Sequence, residues 1–458
     1  MTARRVGLAR RSFRYGRGIL LRARNGWTDR RAGPPLASTP SESEASARAA
    51  ESVSILRRIL VENILPFWVE RVIDEDDGGY RLHHDKEGNW LGPANKGLIS
   101  QARTVWFFSR LRRSDFGEPF HLEIARHGFE FLRDRLWDSR YGGFFWEIEP
   151  TGHPVKPHKH IRAQAFGLFA LTEFAAAADS DEAKTLATRL VDLIERHGHD
   201  GSHGGYYQWF GPDWSKPTAD QLSWSPGDDP EGKRANTQLH VLEAYSPYYR
   251  LSANPLVGDR LKELIVLLLD TTVDHDLHLG IERSTVDWKP LREGGHNRVS
   301  YGHDLERIWL AEEACRVVGL PVPLLLPAFE SLFEGLLRFG YDRSRGGFFE
   351  QGPVERPAME RTKVWWVQAE AMVTATLLYR LTRRPRYGQA YLETLDWVVR
   401  AQVDWDRGEW FAFIRPDGEP AGPKASVNKT PYHTGRSMLM CLENLESAEG
   451  VAPAGGRS

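Results

Sequence analysis

Apolar residues recur every three to four positions in twelve stretches of this chain, a spacing typical of amphipathic helices. Six stretches each precede a short glycine-containing turn: 52–72, 120–137, 182–197, 256–274, 325–340 and 386–402. Six more follow the turns: 98–111, 161–178, 234–251, 303–318, 363–382 and 434–445. The second set is richer in Ala, Leu and aromatic residues. It is therefore expected inside the protein, with the first set outside.

The turns read DDGGY, YGGFFW, HGGYYQW, HLGIE, RGGFFE and RGEWF. The position of the second glycine in DDGGY is assigned in the six turns to Gly79, Gly143, Gly205, Gly280, Gly347 and Glu409. Intervals of 62 to 75 residues between them indicate a sixfold repeat. Outer helix, turn and inner helix, six times over, predict an all-α (α/α)6 barrel with short Gly-aromatic β-hairpins at one end. An open solenoid is the alternative, but no polar capping repeat is visible. The longest interval holds LSWSPGDDPEGKRAN (222–236), a predicted loop over the barrel mouth.

The composition fits one large domain at 51–446, between tails at 1–50 and 447–458 that are expected to be disordered. The first tail carries eleven arginines against three acidic residues and a Pro/Ser/Ala-rich run. A net charge of -2 and 41% hydrophobic residues give no reason to expect nucleic acid or a membrane as partner. We expect a cytoplasmic protein, monomer or homodimer, with Cys315 and Cys441 reduced in the core.

Polar residues cluster near the start of each inner helix, and a closed barrel would bring them to one mouth. They are Gln101 and Arg103, Gln164, Asn236 and His240, His303 and Glu306, Gln368 and Glu370, His433 and Arg436. A concave pocket with a few convergent polar groups is the usual binding site.

Two of the helices carry a histidine and a glutamate at i, i+3, His240 with Glu243 and His303 with Glu306, so each pair shares a helix face. A carboxylate there fixes the imidazole tautomer and raises its basicity, as a general base requires. Such pairs also bind metals in helical bundles, but nearby arginines make poor neighbours for a divalent cation. We therefore predict no metal, either here or at His153, His158 and His160, which we expect on a solvated loop.

Aromatic residues complete the predicted pocket. Trp365 and Trp366 open the fifth inner helix beside Glu370, and one of them is expected in the pocket, where its flat face suits a sugar ring. Trp106 and Trp309 are expected to be core residues.

Four segments resemble the N-acylglucosamine 2-epimerase superfamily, most closely its cellobiose 2-epimerase and mannose isomerase-like branch. They are KRANTQLHVLEAY (233–245), SYGHDLERIWLAEEA (300–314), KVWWVQAEAM (363–372) and NKTPYHTGR (428–436), and the likeness covers about 52–446. It implies an (α/α)6 barrel that epimerises or isomerises sugars at C2 without a cofactor.

The resemblance also implies roles for individual residues. His303 and His433 resemble the two acid/base histidines, and His240 the histidine at the carbonyl end. Glu306 resembles the partner that orients His303, and Arg103 the arginine that binds sugar oxygens. Substrate-binding residues are then expected at Arg103, Asn236, Trp365, Trp366, Glu370 and Arg436.

One position departs from the family. Where cellobiose 2-epimerases carry a tryptophan that stacks on the sugar, this chain has Asn428. The difference favours a smaller sugar and keeps an aldose-ketose isomerase of the mannose type as the close alternative. A glycoside hydrolase using Asp304, Glu306 or Glu370, and a non-catalytic sugar-binding protein, remain less favoured readings.

Overall fold

Six outer and six inner helices alternate along the chain, as the repeat predicts. The computed structural model describes residues 42–218, 221, 232–292 and 297–448. The outer helices span Glu42–Arg58 (extended by Ile59–Ile64 in π geometry and Leu65–Arg71), Pro119–Phe131, Asp181–Leu193, Pro255–Val266, Leu326–Phe339 and Pro385–Trp397. The inner helices span Leu98–Arg112, Ile161–Ala178, Ala235–Ser252, Tyr301–Val317, Trp365–Thr382 and Pro431–Ala448.

Four of the other outer helices end in a π turn, at Leu132–Leu136, Ile194–Gly198, Leu267–Thr271 and Val398–Gln402. Val322–Leu324 forms a 3₁₀ turn. Within the described ranges, none of the helices has the length and apolar character needed to span a membrane. The first outer helix begins at Glu42, inside the segment that we expected to be disordered up to residue 50. Residues 222–231 of the loop predicted over the mouth lie outside the described residues.

The ring of inner helices is closed. The sixth inner helix packs against the first, and Tyr432 lies edge-on to Trp106 with ring centroids 5.1 Å apart. At the mouth, the backbone N–H of His84 donates to the carbonyl of Ala425 at 3.1 Å. First and last repeats are thus joined at two levels, so the predicted (α/α)6 barrel is confirmed and the open solenoid is excluded.

Short antiparallel strands link neighbouring repeats at the mouth. Most pairs join the strand just before an inner helix to the strand after the next turn. The sheets are Lys96–Gly97 with Glu147–Ile148 and Pro154–Lys156, Lys159–His160 with Trp209–Phe210, Lys233–Arg234 with Arg283–Ser284, Arg298–Ser300 with Gln351–Pro353, Lys363–Val364 with Phe413–Ile414 and Pro420–Ala421, and Val273–Asp274 with Leu279–Gly280.

The glycine pairs are required by the turn geometry. Gly78 and Gly79 have φ values of 75° and 68°, in the left-handed region that glycine adopts without steric cost. In the fourth repeat our assignment of the turn was one residue off. The backbone N–H of Gly280 donates to Asp304 at 2.7 Å, the bond that an aromatic residue makes elsewhere, and a Cβ at this position would overlap the Asp304 carboxylate.

A glutamine on each of four inner helices holds its own turn. The side-chain oxygens of Gln101, Gln164, Gln238 and Gln368 accept from the backbone N–H of the turn aromatic at 2.7 to 2.8 Å. The prediction that Gln101, Gln164 and Gln368 converge on the pocket is therefore wrong. These amides are buried, and the turn backbone satisfies them.

Candidate active site

Three histidines from the third, fourth and sixth inner helices meet around one tryptophan and one phenylalanine. Trp366 lies between His303 and His433, with ring centroids 5.3 Å and 5.7 Å away. Phe166 lies 4.6 Å from His240. The three helices therefore bring their histidines to one site, as the sequence predicted.

His433 is held by a buried carboxylate. Its Nδ1 lies 2.6 Å from Oε1 of Glu370, and Glu370 also accepts from Arg436 Nη2 at 2.6 Å and Trp309 Nε1 at 2.9 Å. A carboxylate facing three donors must be ionised, and His433 must donate through Nδ1, which leaves the Nε2 lone pair available. Burial lowers the pKa of His433 to about 3, although Glu370 opposes the shift.

Arg436 is the centre of a buried network. Its guanidinium donates to Glu243 at 2.5 Å, to Glu370 and to the hydroxyl of Tyr432, which itself donates to Glu243. Glu243 also accepts from Nδ1 of His240 at 2.8 Å, as the i, i+3 spacing predicted. Hydrogen bonds therefore connect His240 to His433. Burial would raise the pKa of Glu243, but the charge of Arg436 and the bond to His240 lower it to about 2.

Glu306 is the carboxyl of this network whose pKa is raised. It is 1% exposed and lies 3.3 Å from Arg436. Burial raises its pKa well above the usual range, and the neighbouring charges of Glu370 and Glu243 raise it further. A third buried negative charge beside Glu243 and Glu370 is costly, so Glu306 is the carboxyl of the three that takes up a proton most readily.

The partner predicted for His303 is wrong. Nδ1 of His303 lies 3.4 Å from the carboxylate of Glu282, and Nε2 lies 2.8 Å from the Asn236 amide. Glu306, on the same helix, instead points to Arg436, whose positive charge attracts it. Asn236, predicted as a sugar ligand, contacts His303 here. Sequence reasoning missed Glu282, which is the last residue of the HLGIE turn.

The two tryptophans have different positions. Trp365 is 6% exposed, lies 6.0 Å from Phe413 and carries the ammonium of Lys429 over its ring at 5.7 Å. It is a core residue, whereas Trp366 faces the histidines. A Cβ on Gly302 would overlap the Trp366 ring, so the glycine of the GHDLE segment makes room for it.

Arg103 lies within reach of the same pocket. Its guanidinium covers Phe166 at 4.2 Å and Tyr432 at 4.8 Å. Tyr432 was missed by the sequence reasoning, although it directly precedes His433. Trp309, expected in the core, is buried but also donates to Glu370.

Among the described residues, Glu306, Glu370 and His433 form a group of potential metal ligands, whose atoms lie within 4.8 Å of one another. Arg436 donates to both carboxylates. Its fixed positive charge makes this group a poor site for a divalent cation. Cys315 and Cys441 are buried and free, as expected.

The histidine-rich segment agrees with its prediction only at His153, which is exposed. His158 and His160 are buried, and each lies 4.5 Å from the Trp146 ring. They are packed residues and not part of a solvated loop.

Comparisons with known proteins agree with the fold. The family model for N-acylglucosamine 2-epimerase (GlcNAc 2-epimerase) matches residues 78–437. A cellobiose 2-epimerase of Bacteroides fragilis is 33% identical over 401 residues, covering 85% of this chain and 97% of the relative. A D-mannose isomerase of Marinomonas mediterranea is 25% identical, covering 84% and 95%. The solved structure of the cellobiose 2-epimerase from Bacillus thermoamylovorans B4167 has a TM-score of 0.79 at 29% identity, covering 86% of this chain and 99% of that one.

Proposed function

This chain belongs to the N-acylglucosamine 2-epimerase family, and on that premise we propose that it is a carbohydrate isomerase acting at C2 of a reducing sugar. The proposal rests mainly on one observation, the position of Trp366 between His303 and His433. A sugar that stacks on the Trp366 ring would have the imidazole of His303 on one side and that of His433 on the other. Two bases on different sides of one carbon are what inversion at that carbon requires.

The reaction begins when the sugar ring opens. C2 is then next to an aldehyde, so its proton is acidic enough for a histidine to remove, which leaves an enediolate. His433 has the geometry of a general base, because Glu370 accepts from Nδ1 and the Nε2 lone pair is available. His303 supplies the second acid/base group from the fourth inner helix. Return of a proton to the opposite face of C2 gives the 2-epimer.

The developing oxyanion needs positive charge or hydrogen-bond donors. Arg103 supplies a cation over Phe166, and the ring of His240 lies against the same phenylalanine. A preorganised donor or cation of this kind stabilises a transition state by about 3 kcal/mol in other enzymes. His240 is neutral in the folded protein, because burial lowers its pKa to about 4. Its one ring proton is on Nδ1 and is donated to Glu243, so Nε2 can only accept a hydrogen bond, for example from a sugar hydroxyl. Arg103 is therefore the group that stabilises the oxyanion.

Delivery of the proton to C1 would give a ketose, so an aldose-ketose isomerase is the second candidate. The exposed Asn428, in place of the family's stacking tryptophan, favours this candidate or a monosaccharide 2-epimerase. A hydrolase has less support. Its candidate acids are engaged elsewhere: Asp304 holds the turn at Gly280, and Glu306 and Glu370 bind Arg436.

The test is proton exchange on a sugar panel. We expect incubation in D2O with glucose, mannose, fructose, N-acetylmannosamine or cellobiose to place deuterium at C2 or C1 of at least one of them, with a new sugar appearing by NMR. Deuterium at C2 of both epimers identifies the epimerase, and a ketose product identifies the isomerase. Absence of exchange on the whole panel would contradict proton transfer as the function.

A further inference from the structure

We propose that Glu282, on the Gly-aromatic turn of the fourth repeat, is the positioning residue that holds His303 in the tautomer able to act as a base. This inference rests on the proposed function and assigns it a residue outside the inner helices.

The turn geometry explains why Glu282 lies at the site. Its backbone carbonyl accepts from the first N–H of the third inner helix, Ala235, at 3.1 Å. The same bond recurs at Trp146, Gln208, Glu350 and Ala412, with distances of 2.8 to 3.1 Å. This turn position therefore lies at the mouth in five repeats, beside the inner helix of the preceding repeat. Only the fourth and fifth repeats place a carboxylate there, at Glu282 and Glu350.

The contacts of His303 favour one tautomer. Both oxygens of Glu282 lie 3.4 Å from Nδ1, and a carboxylate can only accept. Nδ2 of Asn236 lies 2.8 Å from Nε2, where an amide N–H needs a lone pair. Both contacts are satisfied when the proton is on Nδ1. The Nε2 lone pair is then the basic one, and it accepts from the Asn236 amide until a substrate replaces this contact.

Glu282 is the acid around His303 whose pKa is lowered. Burial would raise the pKa of Glu282, but the neighbouring His303, Arg307 and Arg234 lower it. The other two acids behave differently. Burial raises the pKa of Asp304, on the same helix, to about 6, and burial with the neighbouring Glu360 raises that of Glu350. Glu282 is also the acid in contact with Nδ1 of His303, so it is the group that can stabilise a proton arriving on this histidine.

The variant Glu282→Gln keeps the size of this side chain and removes its charge. We expect kcat to fall tenfold to a hundredfold, the usual cost of removing the partner of a functional histidine. KM should change less than about twofold, because Glu282 acts through His303. A carboxylate favours the protonated imidazole, so its loss should move the acid limb of the pH profile to lower pH by about one unit. Glu282→Asp, which keeps the charge, should leave that limb in place even where kcat is reduced.

Glu360→Gln is the matched control. Glu360 is an exposed acid paired with Arg298 at 3.2 Å and lies near Glu350. Its variant should keep both kcat and the acid limb of the wild type. If Glu282→Gln behaves like Glu360→Gln, the inference is wrong.

A second measurement needs no variant of Glu282. In the wild-type protein labelled with 15N-histidine, the ring nitrogens of His303 should show the Nδ1–H tautomer, with His303→Gln identifying the signals. An Nε2–H tautomer would overturn the inference whatever the activity data show. A wild-type chain that exchanges no sugar proton would instead overturn the proposed function, so the two failures are distinguishable.

Discussion

Replacing Glu370 with glutamine tests how His433 is tuned. Glu370 is buried and accepts three hydrogen bonds, from His433, Arg436 and Trp309. A glutamine has one oxygen and one NH2 group, so it cannot accept from both sides. The least costly arrangement keeps the oxygen toward His433 and Arg436 and turns the NH2 toward the Trp309 N–H.

The expected loss follows from these contacts. An opposite charge this close shifts a pKa by about 1 to 3 units, and each unit is worth 1.36 kcal/mol. Removing the charge should therefore make His433 a weaker base and lower kcat/KM by about tenfold to a thousandfold. The NH2 of the glutamine and the indole N–H of Trp309 would then face each other without an acceptor. This should also lower the free energy of unfolding by about 1 to 3 kcal/mol.

The two losses can be separated. Trp309→Phe removes the indole N–H that faces the new amide, so the double variant should recover part of the lost melting temperature. Activity should not recover, because the carboxylate charge is still missing. A double-mutant cycle tests this. It measures the kinetics of C2 exchange and the thermal melts of the wild type, of both single variants and of the double variant. A Glu370→Gln variant with kcat/KM within about threefold of the wild type would refute this reasoning.

Three further predictions follow from the same structure. Gly302→Ala should displace the Trp366 ring and lower kcat/KM by about tenfold or more. The helix should stay intact, since alanine favours helices. Gly201→Ala is the control: its Cβ would meet nothing within 4 Å, so its steady-state kinetics should equal those of the wild type. Asn428→Trp should lower KM for cellobiose more than for mannose, and an equal change for both sugars would contradict a stacking role at this exposed position. The melting temperature should fall from pH 7 to pH 5. Histidines whose pKa is depressed in the folded protein contribute stability that is complete above about pH 6.5 and is lost as the pH falls toward 4. His121, whose pKa burial lowers to about 4, is one of them, so His121→Gln should make the fall shallower, and an unchanged slope would count against this assignment.

Much of the fold was predictable because hydrophobic spacing is a local signal. The predicted second inner helix, 161–178, has the bounds observed, Ile161–Ala178. The fourth turn was misaligned because Gly280, the one glycine of HLGIE, was placed at the turn position of Gly79. Its glycine is required by Asp304, which lies far along the chain and had no visible link to the turn.

The candidate site was predictable where one helix carries both partners. His240 and Glu243 bond as their spacing indicates, but the identical spacing at His303 and Glu306 does not form a pair. The difference comes from charges on other helices, since Arg436 draws Glu306 away and the turn supplies Glu282. Such three-dimensional competition leaves no trace in the local sequence.

The central claim is that two histidines act on opposite faces of C2, and single-histidine variants test it most directly. His303→Gln and His433→Asn should each abolish epimerisation, yet each should still exchange the C2 proton of one epimer in D2O through the histidine that remains. The two variants should retain opposite epimers as exchangeable substrates. If both variants exchange the same epimer, or if either one still interconverts the two sugars at a rate near wild type, the two-histidine account is contradicted.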